Sequence, residues 1–455
     1  MMYMKKNNRM TCTLIVLLLL NYSDIKSQDV YSNAITRKYL IGRAVNKSYA
    51  ISTYEAETDK TRYDRYKANE IYLPNLTFNS TYTLLNDDIK MTIPPMTIPV
   101  TLPGLGTLKL SPHLDPIVLQ NKDIFKSDLT ATMVLFTGLK APLLSKAALH
   151  KEKATTFMIE KETSNIIVDV MENFDRLALL DQSVIVLDES SKRLNEETAF
   201  AEKAYKNGLI SAYDLSKIEI AKQELKAKVI DVNSKRKLVV AKLYQLSSVS
   251  KDSLMTIHPQ LVVYSSTSGN AIDSRPELKA LKEAMTANNY KMKSDLASYM
   301  PNVYAFGKRE LRKEDLSALD PLWYVGVGLK WNVFDGLQNY REMQKSKLDE
   351  KIAKNNYDDA YSLLQLNLDK SKYDLEETNQ LINVAFEKKN TAVKGLQISI
   401  RQYELGLGSI TERLAAETDY QNSCLEYLQA IYNQRIATLK LMDASALLSI
   451  DKIND

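Results

Sequence analysis

Cysteine is almost missing from this 455-residue chain: Cys12 and Cys424 are the only two. Cys12 falls in an N-terminal segment expected to be removed, so no intrachain disulfide can staple what remains. Histidine is as scarce. His113, His150 and His258 lie far apart in sequence, with neither metal-ligand spacing nor a cysteine partner, so no metal centre is expected. Gly326-Val327-Gly328 sits inside an alternating segment rather than between a strand and a helix, which rules it out as a phosphate loop. With no catalytic constellation and no cofactor motif, the chain does not read as an enzyme. Breakers are few: 13 glycines and 12 prolines, with Pro94, Pro95, Pro99, Pro103, Pro112 and Pro116 crowded into one stretch. Very long helices require that scarcity elsewhere. Charge of one sign is lacking too. The net is +4, three of those charges come from Lys5, Lys6, Arg9 and Lys26 against Asp24, and no basic cluster follows. Nucleic acid is not an expected partner.

What is present begins with an export signal over residues 1–27. Lys5, Lys6 and Arg9 precede an unbroken apolar run from Leu14 to Leu20, and Ser27 offers a small residue before cleavage. The run is too short to span a bilayer, and no later stretch approaches the roughly 18–20 apolar residues of a membrane helix.

The chain is also written twice. Tyr205-Lys206-Asn207-Gly208-Leu209-Ile210-Ser211 returns 198 positions later as Tyr403-Glu404-Leu405-Gly406-Leu407-Gly408-Ser409, and Phe136-Thr137-Gly138 maps onto Phe334-Asp335-Gly336 at the same offset. Tyr72-Leu73-Pro74-Asn75 returns as Tyr299-Met300-Pro301-Asn302 at offset 227, so the first copy carries a 29-residue insertion. The expected organisation is a first repeat at 28–247, with strands at about 72–85 and 125–136 around an outer loop at 86–124. A linker at 248–273 leads to a second repeat at 274–446, with strands at about 302–310 and 322–334, and a tail at 447–455.

Each repeat reads helix, strand, strand, long helix, turn, long helix. Tyr357, Tyr361, Leu364, Leu368, Leu375, Ile382, Phe386, Val393, Leu396, Ile400 and Tyr403 are spaced by three, four or seven, one stripe down a long rod. Ile159, Ile166, Val170, Phe174, Leu177, Val184, Leu187, Leu194 and Ala201 repeat it in the first copy. At 1.5 Å per residue, about 65 residues make a rod of roughly 100 Å that must pack against others. The strands alternate with period two. Leu76, Phe78, Tyr82 and Leu84 interleave with Thr77, Asn79, Thr81 and Thr83, and Trp323, Val325, Val327, Leu329, Trp331 and Val333 with Tyr324, Gly326, Gly328, Lys330 and Asn332. Apolar-out, polar-in alternation with aromatics near the ends is the pattern of a transmembrane β-barrel. A half-buried soluble sheet would also alternate, but the export signal and the lack of another core-forming segment favour the membrane. The lipid-facing set is then Phe78, Tyr82, Trp323, Val327 and Trp331, while Gly328 faces the lumen. Four strands cannot close a barrel, so chains must pool them. The Pro-rich insertion at 91–116 should be extended, because its prolines deny both helix and central strand.

These elements resemble the TolC-like outer membrane efflux proteins of Gram-negative bacteria. The Tyr-Leu-Pro-Asn entry to the first strand, the Phe-Asp-Gly after the fourth and the paired Tyr-x-x-Gly-Leu-x-Ser turns carry the resemblance over nearly the whole mature chain. It implies a mainly α fold with a transmembrane β part: a homotrimer whose twelve strands make one outer-membrane β-barrel continuing into a periplasmic α-helical barrel. It implies the exit duct of a tripartite pump or type I secretion system, with outer-membrane lipid, a periplasmic adaptor (membrane fusion) protein and an inner-membrane transporter as partners. The residues themselves leave open a stand-alone diffusion channel or an exported coiled-coil surface protein. The tip turns Gly208, Leu209, Ser211, Gly406, Leu407, Gly408 and Ser409 are the candidate adaptor-docking surface. Asp214 and Glu412 stand three residues after Ser211 and Ser409, the spacing of a capping box. In a symmetric assembly they would equally form charge rings, so both readings stand at this point. The resemblance implies a gate latch from Tyr403 to Asp214, helped by an Arg at the position of Gly408, and a second acid where this chain has Ala415.

Overall fold

The computed structural model describes residues 35–94, 96–104, 106–110, 115–264, 271–314, 316–317 and 320–448. The expected signal peptide, residues 265–270 of the linker and residues 449–455 of the tail lie outside the described residues. Helices α1 (Arg37–Lys47) and α2 (Tyr49–Glu70) lead into β1 (Asn75–Leu84), and after an excursion β6 (Asp123–Phe136) returns. Next come α3 (Lys140–Lys206), α4 (Ala212–Ser247) and the short α5 (Lys251–Met255). The second half runs α6 (Pro276–Leu296), β7 (Asn302–Glu310), β8 (Trp323–Lys330), α7 (Gln338–Glu404) and α8 (Ile410–Ala444). Both α3 and α7 have 67 residues, rods of roughly 100 Å.

The Phe-x-Gly segments make the corners between strand and rod. Gly138 and Leu139 both adopt positive φ (61° and 71°), as do Gly336 and Leu337 (both 69°). Glycine enters that region freely, whereas each leucine there costs about 1–2 kcal/mol. At Gly138 the space is also closed: a Cβ would stand 2.5 Å from the Cβ of Met300.

The four long strands form one antiparallel sheet in the order β1-β6-β7-β8. Its apolar face is bare: Leu76, Phe78, Tyr82, Leu129, Met133, Trp323, Val325, Val327 and Leu329 are all exposed. On the other face Tyr304 and Phe306 lie over the glycines of the neighbouring strand. A Cβ on Gly328 would meet the Tyr304 ring at 2.5 Å, and one on Gly326 the Phe306 ring at 2.7 Å. Gly328 therefore lies under an aromatic lid rather than opening onto free space.

Two expectations need correction. The last strand was expected to reach 334, but it ends at Lys330. Trp331 is thus outside the ladder, and its indole N–H donates to the Tyr299 carbonyl at 3.0 Å, tying the strand end to the helix side. The outer segment 86–124 is not a strandless loop. Strands β2 (Ile89–Met91) and β5 (Ile117–Gln120) pair, as do β3 (Ile98–Leu102) and β4 (Gly106–Leu110). A two-stranded ribbon consists only of edges, where Pro99 can sit opposite Lys109 with its missing donor turned outward.

The helices form an open layer. Helix α3 packs against α4 and α8, α8 packs against α7, and α4 and α7 stand at the margins. The core cluster joins Ile166, Ile167, Val170, Phe174 and Leu177 of α3 to Val239, Val240 and Leu243 of α4 and to Leu40 and Ile41 of α1. The α7 stripe is far less covered. Of its residues only Leu368 and Leu396 are buried and Tyr361 and Phe386 are exposed, while off the stripe Leu348, Ile352, Leu363, Leu366 and Val384 are exposed too. Buried charge fixes the register of the layer. Asp175 of α3, 3% exposed, accepts from Arg37 of α1 at 3.2 Å and from Arg435 of α8 at 2.9 Å. Asp175→Ala would remove the buried carboxylate that Arg37 and Arg435 share. We expect a stability loss of about 3–5 kcal/mol, read as a lowered unfolding temperature, with Asp175→Asn less damaging.

The candidate functional site at the tip turns

Two turns close the far ends of the rods, and the same pair of hydrogen-bonded motifs builds both. At the end of α3, Gly208 takes φ +68°, its N–H donates to the Tyr205 carbonyl at 2.9 Å, and the Leu209 N–H donates to the Ala204 carbonyl at 2.9 Å. At the end of α7, Gly406 takes φ +72°, its N–H donates to Tyr403 at 3.0 Å, and the Leu407 N–H donates to Gln402 at 2.9 Å. That pair of bonds is a Schellman motif, which satisfies the last carbonyls of a helix and favours glycine at the left-handed residue.

The returning helices then start on capping boxes. Ser211 Oγ accepts from the Asp214 N–H at 3.2 Å, and the Asp214 carboxylate accepts from the Ser211 N–H at 3.3 Å and from its hydroxyl at 2.7 Å. Ser409 Oγ accepts from the Glu412 N–H at 3.3 Å, and Glu412 Oε2 accepts from the Ser409 N–H at 2.9 Å. The hydroxyl and backbone N–H of Ser211 hold the Asp214 carboxyl below its ordinary range. The Ser409 backbone N–H and hydroxyl do the same for Glu412. Both expected gate acids are therefore ionised caps of their own helices, and both remain at the surface of a single chain.

The structure brings the two turns together. Ala201, Ile218 and Ile410 are buried in one cluster, with Ile210, Leu215, Tyr403 and Leu414 packed on it. Lys217 Nζ donates to Thr411 Oγ1 at 2.7 Å, a bond between the second turn of α4 and the first turn of α8. Outside this cluster Leu209, Tyr213, Leu405 and Leu407 are exposed. Tyr403 lies edge-on to Phe200, with ring centroids 6.3 Å apart. Its buried hydroxyl has no hydrogen-bond partner among the described residues. Burial, with Glu197 and Asp214 nearby, pushes that hydroxyl's pKa up. The Tyr403–Asp214 bond implied by the resemblance is not made here, since the Asp214 carboxylate serves Ser211. Gly408 supplies no side chain, and its N–H donates to the Gln402 carbonyl at 3.2 Å.

Sequence reasoning missed a buried ion network just behind the turns. Glu417 of α8 accepts from Arg193 of α3 at 2.9 and 3.1 Å, while Arg413 lies 3.3 Å from Glu197 and 3.4 Å from Glu417. Burial alone would raise the Glu417 pKa, but Arg193 and Ser190 outweigh it and hold the carboxyl below its usual range. Burial raises that of Glu197 despite Arg413. Arg193/Glu197 and Arg413/Glu417 are ordinary i,i+4 pairs in sequence, a pattern that normally marks a solvated helix face.

With this geometry in place, the comparisons are specific. Residues 267–446 match the model of the outer membrane efflux protein family. The matched segment spans the second repeat. The fold of the chain as a whole is that of solved outer-membrane channels. The outer membrane protein VceC of Vibrio cholerae aligns with a TM-score of 0.72 at 15% identity, covering 90% of this chain and 95% of that one. The CmeC outer membrane channel of Campylobacter jejuni gives 0.72 at 13%, covering 92% and 87%. The MtrE outer membrane channel of Neisseria gonorrhoeae, solved in its open state, gives 0.70 at 14%, covering 90% and 88%. No curated protein sequence matches the chain. The second tip turn, Tyr403 and the Arg413/Glu417 pair all fall within the matched residues.

Ser211→Ala and Ser409→Ala should each cost about 1 kcal/mol by removing a cap, and Gly406→Ala about 1–2 kcal/mol through its positive φ. The lowered carboxyls set the pH dependence. A depressed acid stabilises the fold above its unfolded pKa and loses that contribution as pH falls through the folded value. The first turns of α4 and α8 should therefore fray on acidification below the ordinary carboxylate range. Hydrogen exchange of the two turn segments, corrected for intrinsic rate, reads the effect.

Proposed function

We propose that three copies of this chain form an outer-membrane exit duct that passively conducts cargo delivered by a periplasmic adaptor and an inner-membrane transporter, as in a tripartite pump or type I secretion system. The observation that carries the reading is that one chain has open margins in both of its layers. Among the described residues the sheet leaves β1 and β8 unpaired at its edges, and the helix layer leaves apolar residues of α4 (Ile220, Ile230, Leu238) and α7 (Leu363, Leu366, Val384) uncovered. Strand edges are not tolerated in lipid, so β1 of one copy must meet β8 of the next. The same step brings α4 of one copy beside α7 of its neighbour. Three copies close twelve strands into a barrel and the helices into a tube below it, as a duplicated unit in each chain would arrange. The bare apolar face of the sheet then faces lipid, and the face carrying Thr130, Lys308 and Tyr304 lines the lumen.

The tip turns are the end that faces the transporter. Leu209, Leu407 and the small residues Gly208, Ser211, Gly406, Gly408 and Ser409 present an apolar, closely approachable surface to an adaptor's helices. Asp214 and Glu412, ionised by their caps, would form two rings of charge where three copies converge, and such rings favour cations. The cap and ring roles coexist in one residue and are separable by substitution.

Mass measurement in detergent should find a trimer; a stable monomer or dimer sinks the barrel. Glu412→Gln keeps the capping hydrogen bond and removes the ring. Stability should hold while cation preference in planar-bilayer recordings falls, and unchanged selectivity would leave Glu412 as a cap alone. Gly406→Asp should abolish transport with the trimer intact. Full transport at equal abundance would place adaptor docking elsewhere.

A further inference from the structure

Along β7 from Val303 to Gly307 the apolar face of the sheet carries only small residues, Val303, Ala305 and Gly307. The register sets Ala131, Gly307 and Val325 in one row and Met133, Ala305 and Val327 in the next. Bulkier side chains rise on both flanks, from Leu129 and Met133 on β6 and from Val325, Val327 and Leu329 on β8. They leave a trough over β7, and its outer part is a cavity of about 560 Å³ bordered by Leu129, Ala131, Gly307, Trp323 and Val325. Gly307 keeps the floor low: a Cβ there would come within 3.2 Å of Val325 Cγ1.

One row farther out, at the loop end of the strand, Arg309 stands between Leu129 and Trp323. It is exposed, and among the described residues no carboxylate lies within ion-pair distance of it. The next β7 residues on the opposite face differ: Lys308 reaches Glu310 at 2.9 Å and Asp128 at 3.3 Å. The apolar face thus carries one uncompensated guanidinium, at the mouth of a hydrocarbon-lined trough and beside a tryptophan. Nor would a neighbouring copy cover it, because the seams between copies fall at β1 and β8, not at β7.

We propose that this trough seats one phosphorylated lipid of the outer leaflet per chain, its acyl chain along β7 and its phosphate on Arg309. The inference rests on the membrane reading given above. From Val303 to Arg309 the strand rises about 20 Å, enough to lay a fatty-acyl chain beneath a headgroup. A guanidinium fork matches phosphate oxygens two at a time, and tryptophan is at home at the boundary between hydrocarbon and headgroup. A neutral lipid would fill the trough but leave Arg309 without a counter-charge.

The test uses the full assembly, delipidated in mild detergent and offered lipid A or enzymatically dephosphorylated lipid A, with bound lipid counted by native mass spectrometry. Wild type should retain lipid A, up to one per chain, and hold the dephosphorylated form about fivefold less tightly, the weight of one cationic side chain at an anionic lipid surface. Arg309→Gln should bind both forms alike, at the weaker level, and Arg309→Lys should recover part of the preference. Gly307→Leu fills the trough and should lose both lipids; if it fails to assemble, the Arg309 pair still decides. Equal binding of both lipids by wild type, or undiminished lipid A binding by Arg309→Gln, overturns the seat. An assembly that inserts into vesicles and conducts but shows no phosphate preference defeats only this inference, whereas one that never inserts defeats the barrel as well.

Discussion

Backbone N–H and C=O groups along a strand edge have no substitute partner in hydrocarbon, and leaving them unpaired costs more than any side-chain adjustment recovers. On the membrane reading proposed above, that constraint falls on β1 and β8, the two ends of the four-stranded sheet. Most other features can be traced to it. In the proposed assembly the sheet meets copies of itself on both sides and has one face for lipid and one for water, which would account for strands that alternate without a core of their own. The corners at Gly138-Leu139 and Gly336-Leu337 turn both rods away from the sheet with the same left-handed pair of residues, so the helix layer inherits the sheet's two open margins.

The helices solve a different problem. Rods of this length can slide past one another by whole turns at little cost in apolar contact, because one leucine row resembles the next. Buried charge resists sliding. Asp175 with Arg37 and Arg435, Asp181 with Arg236 at 2.5 Å, and Glu417 with Arg193 occupy successive levels of α3, and each is satisfied in one register only. Such pairs add little net stability over apolar packing, yet breaking one partner is severe. Their value here is alignment of the two tip turns to within a hydrogen bond, the one between Lys217 and Thr411.

Much of this was legible in the sequence because it repeats. The offsets tied Gly208 to Gly406 and Ser211 to Ser409, and breaker-glycine followed by a capping spacing has a definite physical meaning at a turn. The stripes on α3 were readable for the same reason, and Val170, Leu177, Leu187 and Ala201 are buried as a stripe should be. What failed to show was whatever depends on neighbours distant in sequence. The end of β8 at Lys330 is set by Trp331 bonding to Tyr299, a contact that alternation cannot foresee. The ribbons β2–β5 and β3–β4 escaped because proline bars a central strand but not an edge. Arg193 and Glu417 look like solvated charges until the helices carrying them are placed face to face.

The tip turns have one more property. Each closes its own hydrogen bonds: the Schellman pair satisfies the outgoing helix, the capping box satisfies the incoming one, and both acids are engaged by their own serines. Apart from the buried Tyr403 hydroxyl, little unsatisfied polarity remains in the turns themselves to attract a partner. What the turns offer outward is the exposed apolar surface of Leu209, Leu405, Leu407 and Tyr213. The proposed docking through that apolar surface would therefore weaken on cooling and carry a negative heat-capacity change, the thermodynamic signature of a greased socket.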